Sequence, residues 1–272
     1  ELIEKYFGHY KSKDVPEFLA PNETPITKPE IINIQGSASE WVDIGFRLPG
    51  VEQEDIYILP LLDGLLSNGK AGLIDLNLIK SQKVLSGYSQ YMFAKDYSLF
   101  KLHGEPRAGQ SLDEVKNYLL RELDKIKQGE FDQWMLPAII KNFKLDDQKR
   151  NESNSYRARK MTDAFIMGKA WRTVVNETNK LNSVTKEDIV KFANKYFQDN
   201  YIVLNKLNGT PNSIKVTKPQ ITTVPLNRDT SSIFAQTFNS IESSRLTPLY
   251  NNYMMDVQEF TLNNNIPGYY VK

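Results

Sequence analysis

The sequence contains no cysteine, which excludes disulfide bonds, thiolate nucleophiles and cysteine-ligated metal ions. It contains only two histidines, His9 and His103, which lie far apart in the sequence. A catalytic zinc ion needs three protein ligands and one open position, and neither histidine is followed by another four residues later. We therefore assign no metal ligand and no catalytic residue, and we interpret both histidines as structural or surface residues.

Other absences exclude further classes of protein and of functional site. No run of about eighteen apolar residues is present, so nothing in the sequence predicts a membrane-spanning helix. Lysine and arginine (34) balance aspartate and glutamate (33), which leaves no global field to attract nucleic acid or an anionic membrane. Neither a Gly-x-Ser-x-Gly elbow nor a phosphate-binding glycine loop occurs. Composition alone leaves a Ser-His-Asp triad open, although no motif indicates one.

The composition that remains is typical of a globular protein, with 40% hydrophobic and 25% charged residues. The length of 272 residues suits one large domain or two small ones. Residues 1–10 carry a helical fragment without the charged-then-apolar pattern of a secretory signal, which is typical of a cytosolic protein or of a chain whose start is missing.

The clearest local pattern runs from Leu181 to Gly209. Thr185 is a good N-cap, and Asp188 stands where a capping box needs its acidic partner. An apolar stripe at helical spacing follows, and then comes the run Tyr201–Leu204, which lacks polar alternation. This pattern predicts an amphipathic helix that leads into a strand covered on both sides.

The pattern at the start of the chain predicts the end of one domain, followed by the beginning of another. Residues 1–10 predict the tail of a preceding domain, and the four prolines in residues 11–29 predict an extended linker. Two strands are predicted over 30–35 and 40–48, and the second alternates apolar and polar residues.

The main domain is predicted to span residues 30–209. Its other predicted elements are helices over 55–66 and 73–79, a hairpin over 84–93 and 97–103, a helix opened by a capping box at Ser111–Glu114, and helices over roughly 130–150 and 153–168.

The region after Gly209 changes character. Residues 210–250 are rich in Thr, Ser, Asn and Pro without a sustained apolar period, and we interpret them as a long crossing linker. Residues 251–272 alternate again on both sides of a turn at Asn263–Asn265, which predicts a hairpin that begins another domain. Lys5-Tyr6-Phe7 is repeated as Lys195-Tyr196-Phe197, a spacing that fits two copies of one domain.

These motifs resemble the second, non-catalytic domain of the pitrilysin/insulinase family of zinc metallopeptidases, which includes the mitochondrial processing peptidases. The residues that carry the resemblance are Val184-Thr185-x-x-Asp188, Lys195-Tyr196-Phe197 and the hairpin VQEFTLNNNIPGYYVK, in which Asn265 replaces a usual glycine. Asparagine also tolerates the left-handed turn that this position needs. The resemblance extends over essentially the whole chain, through motifs that form the fold rather than a catalytic site.

The resemblance implies an α+β fold, with helices layered on a mixed, largely antiparallel sheet. It implies that the parent protein is a zinc-dependent endopeptidase whose paired domains enclose unfolded peptides. The zinc would then sit on a His-x-x-Glu-His helix of another domain, so this chain holds no cofactor and is inactive alone. Its partners would be the other domains of the parent chain and peptide substrates, with no nucleic acid and no membrane segment.

Tyr88, Tyr91 and Tyr97 of the predicted hairpin are the candidates for lining the peptide chamber, and packing within the sheet is the alternative role for them. The arginine that grips substrate in the family is missing from this hairpin. A second function stays open, namely a catalytically dead scaffold or peptide-binding protein of the same fold, and so does an unrelated α+β binding module. Many bacterial members of the family are exported, which implies a periplasmic or exported location.

Overall fold

The computed structural model describes residues 1–17, 19, 21–211, 219–220, 222, 230–244, 247, 255–263 and 265–271. The chain separates into two units, Glu1–Ile214 and Lys215–Lys272. The finer boundaries that the sequence predicts, at residues 10, 29, 209 and 250, stay predictions. No described helix is both long enough and apolar enough to cross a lipid bilayer.

The first unit contains one sheet and most of the helices. Its elements are α1 (Leu2–Phe7), β1 (Glu30–Gly36), β2 (Trp41–Pro49), a 3₁₀ turn (Ile56–Ile58), α2 (Leu59–Leu66), a π-helical segment (Asp75–Lys80), β3 (Ser86–Met92), β4 (Tyr97–Glu105), α3 (Leu112–Gln128), α4 (Met135–Arg150), α5 (Asn154–Ile166), α6 (Trp171–Lys180), a second 3₁₀ turn (Leu181–Ser183), α7 (Lys186–Tyr196) and β5 (Tyr201–Asn208).

The five strands form one sheet in the order β1-β5-β2-β4-β3. β1 runs parallel to β5, and the other three pairs of neighbours are antiparallel. The structure thus confirms the predicted α+β fold with a mixed, largely antiparallel sheet.

Alternation along β2 gives the sheet two different faces. The four apolar side chains of the predicted alternation are at most 1% exposed; they are Val42, Ile44, Phe46 and Leu48. Phe46 lies opposite Phe100 of β4, and both pack beneath the helices. We call this side the covered face. The alternate residues of the same strands form the other side, which we call the open face.

Helix α7 begins and ends as its motifs require. Thr185 and Asp188 form the predicted reciprocal capping box, with the Asp188 amide donating to the Thr185 hydroxyl at 3.1 Å. Phe197, just past the end of the helix, packs edge-on against Phe46 and Phe100 with ring centroids 5.0 and 5.1 Å apart.

The Lys-Tyr-Phe motif also ties the C-terminal end of α7 to the segment before α2. Lys195 Nζ and Tyr196 Oη each donate to the Asp55 carboxylate at 2.7 Å. Burial alone would raise the pKa of Asp55, but these hydrogen bonds outweigh burial and hold the pKa below its ordinary value. The motif therefore acts as a structural clamp.

Four local predictions need correction. The helix expected over 55–66 opens as a 3₁₀ turn before α2, and the one expected over 73–79 is largely π-helical. At the start of α3, Ser111 accepts from the Glu114 amide as predicted, but the Glu114 carboxylate is bonded by Gln110 instead of closing the box. β5 is not covered on both sides.

The physical reason for the last correction is the one-sided helical layer. Val203 is buried on the covered face, whereas Ile202 and Leu204 lie on the open face and are only half-buried. A strand inside a sheet that helices cover on one side only can still carry apolar residues on both faces. The apolar run of β5 therefore does not indicate a second covering layer.

The second unit contains α8 (Ile233–Ser240) and a hairpin of β6 (Val257–Leu262) and β7 (Ile266–Val271). The hairpin confirms the predicted strands, and Asn265 adopts φ +58° in its turn, the left-handed conformation expected of it. Helix α8 lies within residues 210–250, which the sequence predicts as a crossing linker, and no helix was predicted there. Its eight residues are too few to show a period, and its Ser232 cap, which accepts from the Ala235 amide, was overlooked. Much of the rest of the predicted linker lies outside the described residues.

Candidate functional site

The open face carries polar and aromatic side chains in its centre. They come from β2, β3 and β4, whose register places Asp43 opposite His103 and Tyr88 opposite His103 on the other side. Strand alternation sends these residues to the face away from the helices. The cluster consists of Trp41, Asp43, Tyr88, Lys101, His103 and Glu105, and we call it the open-face cluster.

His103 is the centre of this cluster and is only 8% exposed. Its Nδ1 lies 2.6 Å from Asp43 Oδ1, and its ring stacks on Tyr88 with centroids 4.7 Å apart. Trp41 lies on another side of the ring, at 5.9 Å. Because a carboxylate oxygen accepts hydrogen bonds, the Nδ1–H of His103 is the donor to Asp43, and this hydrogen bond fixes the orientation of the ring.

The remaining charges border the ring. Lys101 Nζ lies 3.2 Å from Asp43 Oδ2 and 5.6 Å from the centre of the Tyr88 ring. Glu105 Oε1 lies 3.6 Å from His103 Nε2, and the Glu105 side chain is about one-third exposed. The imidazole of His103 is thus flanked by a carboxylate on each side, Asp43 at Nδ1 and Glu105 at Nε2.

The three tyrosines predicted as candidates do not share one site. Tyr88 lies in the open-face cluster. Tyr97 lies on the same face, where its ring packs 5.2 Å from the guanidinium carbon of Arg47. Tyr91 points to the covered face, where its ring lies 5.1 Å from Phe93 and burial raises the pKa of its phenol.

The two histidines do not come together as metal ligands. His9 is exposed after α1 and packs against Tyr10, whereas His103 has its Nδ1 bonded to Asp43. Across the described ranges, no three His, Cys, Asp or Glu side chains converge to hold a metal ion. The residues present therefore do not fit the zinc site of a metallopeptidase.

A cavity of about 760 Å³ lies in the helical layer of the same unit. Tyr57, Tyr91, Phe93 and Phe143 contribute aromatic surface to its lining. Two ion pairs lie around it, Lys160 with Asp147 and Lys169 with Glu177, each at 2.7 Å. The aromatic surface suits an apolar group, while these charges are already paired with each other.

Asp63 is an unusual group beneath the covered face. It lies on α2, and the Ser89 hydroxyl of β3 donates to its main-chain carbonyl at 3.2 Å. Within the described residues its Oδ1 is buried without a hydrogen-bond partner. Burial raises the pKa of Asp63 to about 6, because the charged form loses its hydration and no described group donates to its buried Oδ1.

Sequence reasoning found Tyr88 but missed the rest of the open-face cluster. The polar positions of β2 were recognised as facing away from the core, and His103 was placed in the following hairpin. The antiparallel pairing of β2 with β4, which joins these positions, involves strands separated by about fifty residues and had no local signal.

Comparison with known proteins places the chain in a family. The sequence model of the family described as peptidase M16 inactive domain matches residues 1–143. The zinc protease PqqE of Helicobacter pylori is 24% identical over 205 residues, covering 73% of this chain and 46% of that protein. The chain therefore spans about half the length of the curated relative it matches.

Solved structures share the fold. A protease from Helicobacter pylori has a TM-score of 0.70 at 23% identity, over 76% of this chain and 51% of the other. The peptidase M16 inactive domain from Pseudomonas fluorescens has a TM-score of 0.60 at 13% identity, over 74% and 47%. The first half of the periplasmic protease PqqL from Escherichia coli has a TM-score of 0.57 at 14% identity, over 76% and 48%. Because the family match extends over more than half of the 272 residues, the chain belongs to the peptidase M16 inactive domain family.

Proposed function

We propose that this chain is the non-catalytic part of a zinc-dependent endopeptidase, in which it helps to enclose unfolded peptide substrates. The match of residues 1–143 to the inactive-domain family is the observation that carries the proposal. Two features support it. No three potential metal ligands converge in the described part of the chain, and the sheet presents an uncovered face with half-exposed aromatic residues that could contact peptide.

The proposal includes the partners and the cofactor. The catalytic zinc belongs to another domain of the parent polypeptide, which the zinc protease relative supports because this chain spans about half of its length. The domains that adjoin this one, and the peptide between them, are its partners. A periplasmic or exported location is proposed with it, and the periplasmic PqqL protease of the same fold supports that location.

The experiment compares the purified chain with the longer polypeptide that contains it. An unstructured, internally quenched peptide is added to each in the presence of zinc, and cleavage and peptide binding are both measured. The chain alone is expected to bind the peptide weakly and to leave it intact, whereas the longer polypeptide cleaves it. Cleavage by the chain alone that zinc supports and a chelator stops would overturn the proposal, and so would absence of peptide binding.

A scaffold without chemistry is the second candidate. The fold also occurs in complex III from Candida albicans, which has a TM-score of 0.55 at 8% identity over 65% of this chain. The parent sequence upstream of Glu1 separates the two candidates. A His-x-x-Glu-His motif there supports the peptidase, because it supplies two zinc ligands and the base on one helix face, and its absence supports the scaffold.

A further inference from the structure

Helix α5 lies beside the cavity of the helical layer and is weakly packed. All 13 of its residues are described, and Ala164 alone among them is buried. By contrast, α3 buries six residues between Leu112 and Ile126. A segment that buries so few side chains lies at the low end of local stability, so α5 changes its position more easily than the core helices do.

The side of α5 that faces the cavity is polar. Tyr156, Lys160 and Asp163 contribute to the cavity lining. Two of them are bonded to the Asp147 carboxylate of α4, Lys160 through its Nζ at 2.7 Å and Tyr156 through a longer hydrogen bond from its Oη at 3.3 Å. We call these two contacts the Asp147 latch, because they hold the polar side of α5 toward the cavity.

The large apolar side chains of α5 face the solvent instead. Phe165 is 87% exposed, and Met161, one turn before it, is 55% exposed. At 3.6 residues per turn, Phe165 lies about 140° around the helix from Lys160. A surface helix normally turns its apolar stripe to the core and its polar side to water. The orientation of α5 is therefore the reverse of the usual one.

The cavity offers the apolar surface that these two side chains lack. Its volume is about 760 Å³, and the half-buried rings of Tyr91, Phe93 and Phe143 lie in its lining. Apolar groups leave water for such surfaces spontaneously, and protein interiors are normally close-packed. Met161 and Phe165 are thus two exposed apolar side chains beside an unfilled aromatic space.

The connections at both ends of α5 permit it to turn about its axis. Residues 151–153 form a turn between α4 and α5. Gly168 follows the other end with φ +66°, and a Cβ placed there would meet no described atom within 4 Å. Glycine adopts this left-handed backbone without a steric penalty, and a few such residues suffice to absorb the dihedral changes of a hinge.

We infer that α5 is a lid with two positions. In the position that this structure shows, the Asp147 latch keeps the polar side inward and leaves the cavity open to an apolar group. In the second position α5 is turned about its axis, and Met161 and Phe165 fill the cavity. The latch consists of one partly exposed ion pair and one long hydrogen bond, which is a weak combination, so a single substitution shifts the population of the two positions.

The test uses the full chain and Nile red, an uncharged apolar dye, as the probe of the open cavity. A ligand that binds one position only loses apparent affinity in proportion to the fraction of chains in that position. We expect the wild type to bind the dye, and Asp147→Ala to bind it about five- to tenfold more weakly because the latch is lost. Val174→Trp, which fills the cavity from α6, should abolish binding and so locate the dye.

Two further variants separate closure of the lid from simple damage to the cavity. Asp146→Ala removes the neighbouring carboxylate of α4, which makes no hydrogen bond or ion pair with a described residue, and it should leave dye affinity unchanged. Adding Phe165→Ser to Asp147→Ala should restore most of the affinity, because the turned lid then has no ring to place in the cavity. Phe165→Ser alone should leave both affinity and stability unchanged, since the ring is exposed in the open position.

Thiol labelling reports the position of α5 without a ligand. The chain contains no cysteine, so an introduced thiol reacts alone. Ala158 is exposed on the same side of α5 as Met161. Ala158→Cys should react with iodoacetamide about five- to tenfold more slowly when Asp147→Ala is present. Asn142→Cys, on an exposed part of α4, is the matched control and should react equally fast in both backgrounds.

Several results would overturn the two-position lid. They are failure of the folded wild type to bind the dye, equal effects of Asp147→Ala and Asp146→Ala, a loss of affinity that Phe165→Ser does not restore, and unchanged labelling of Ala158→Cys. If Asp147→Ala fails to fold, Tyr156→Phe is the second variant. It removes only one hydrogen bond of the latch and should weaken dye binding about twofold.

Discussion

The covered and open faces of the sheet are built from alternate residues of the same strands and have opposite properties. On β4, Phe100 and Leu102 are fully buried, whereas their neighbours Leu99 and Lys101 face outward and remain partly exposed. The covered face holds the hydrophobic core, and the open face holds the charged and aromatic cluster around His103. One pair of strands therefore supplies core packing on one side and a polar and aromatic surface on the other.

Substitutions on the two faces should differ in how strongly they affect the stability of the fold. Substitutions on the open face touch few core residues, because successive side chains point to opposite sides of a strand. Substitutions on the covered face disturb close-packed neighbours, where changes of even one methylene are felt. The stability of the fold should therefore respond mainly to mutations on the covered face of these strands.

The largest effect on stability is expected for a substitution on the covered face. Alanine variants of two neighbouring residues of β4, one on each face, should show it. Phe100→Ala removes a buried ring that packs 5.1 Å from Phe197 and should lower the free energy of unfolding by about 3 to 5 kcal/mol. Leu99→Ala, at 45% exposure on the open face, should cost less than about 1 kcal/mol. Urea unfolding followed by circular dichroism measures both values.

The difference between the two variants is the informative quantity. Equal losses for Phe100→Ala and Leu99→Ala would show that the open face is covered in solution and that the two faces do not differ as described. A slope of the unfolding curve that changes with either variant would instead indicate an altered unfolded state, so both midpoint and slope are needed.

The second largest effect on stability is expected from Asp63, because its carboxyl group titrates beneath the covered face. Its pKa of about 6 in the folded state lies above the ordinary value of 3.8, so the folded chain binds the proton more tightly than the unfolded chain does. Stability contributed by this group is fully present below pH 3.8 and is lost as the pH rises through about 6. At 1.36 kcal/mol per pKa unit the loss is about 3 kcal/mol.

Asp63→Asn tests this sign directly, since the amide keeps the shape of the protonated acid. The variant should be more stable than the wild type at pH 7.5 and nearly equal to it at pH 4. Denaturant unfolding at a series of pH values measures the difference. Asp146→Asn, on an exposed part of α4, serves as the control and should leave the pH profile unchanged. The raised pKa would be contradicted if, between pH 4 and pH 6, the free energy of unfolding of the wild type rose relative to that of Asp63→Asn.

Much of the fold could be predicted from local patterns in the sequence. The period of two in β2, the Thr185 capping box and the helical stripe of α7 are signals contained within about a dozen residues, and the structure confirms each of them. The hairpin of β6 and β7 and its left-handed Asn265 were equally local. A helix was predicted over 73–79, but neither its π-helical form over Asp75–Lys80 nor the short helix α8 was predicted, because both segments are too brief to show a period.

The open-face cluster could not be predicted in the same way. Asp43 and His103 meet only because β2 pairs with β4 in one register, and a shift by one residue would send His103 to the covered face. That register depends on the whole core, including Phe46 opposite Phe100. Residue types alone showed a lone histidine, and the interpretation of His103 as structural was the simplest one that the sequence allowed.

A pair of glycines gives the smallest predicted effect and the cleanest contrast between the faces. A Cβ added at Gly104, on the covered face of β4, would lie 2.5 Å from Val115 Cγ1 and 3.0 Å from Leu119 Cδ1 of α3. Gly104→Ala should therefore cost about 1 to 3 kcal/mol through overpacking. A Cβ added at Gly45, on the open face of β2, would have one described atom within 4 Å, the Ile202 carbonyl oxygen at 4.0 Å. Gly45→Ala should be neutral or should stabilise by about 0.5 kcal/mol, because alanine restricts the unfolded chain more than glycine does.

Both substitutions replace glycine by alanine within a strand, so the difference in strand propensity is the same for both. Any difference between their effects on stability therefore comes from the face on which the residue lies. Thermal and urea unfolding measure the pair, and a cost at Gly45 equal to that at Gly104 would mean that a layer of protein packs on the open face as well.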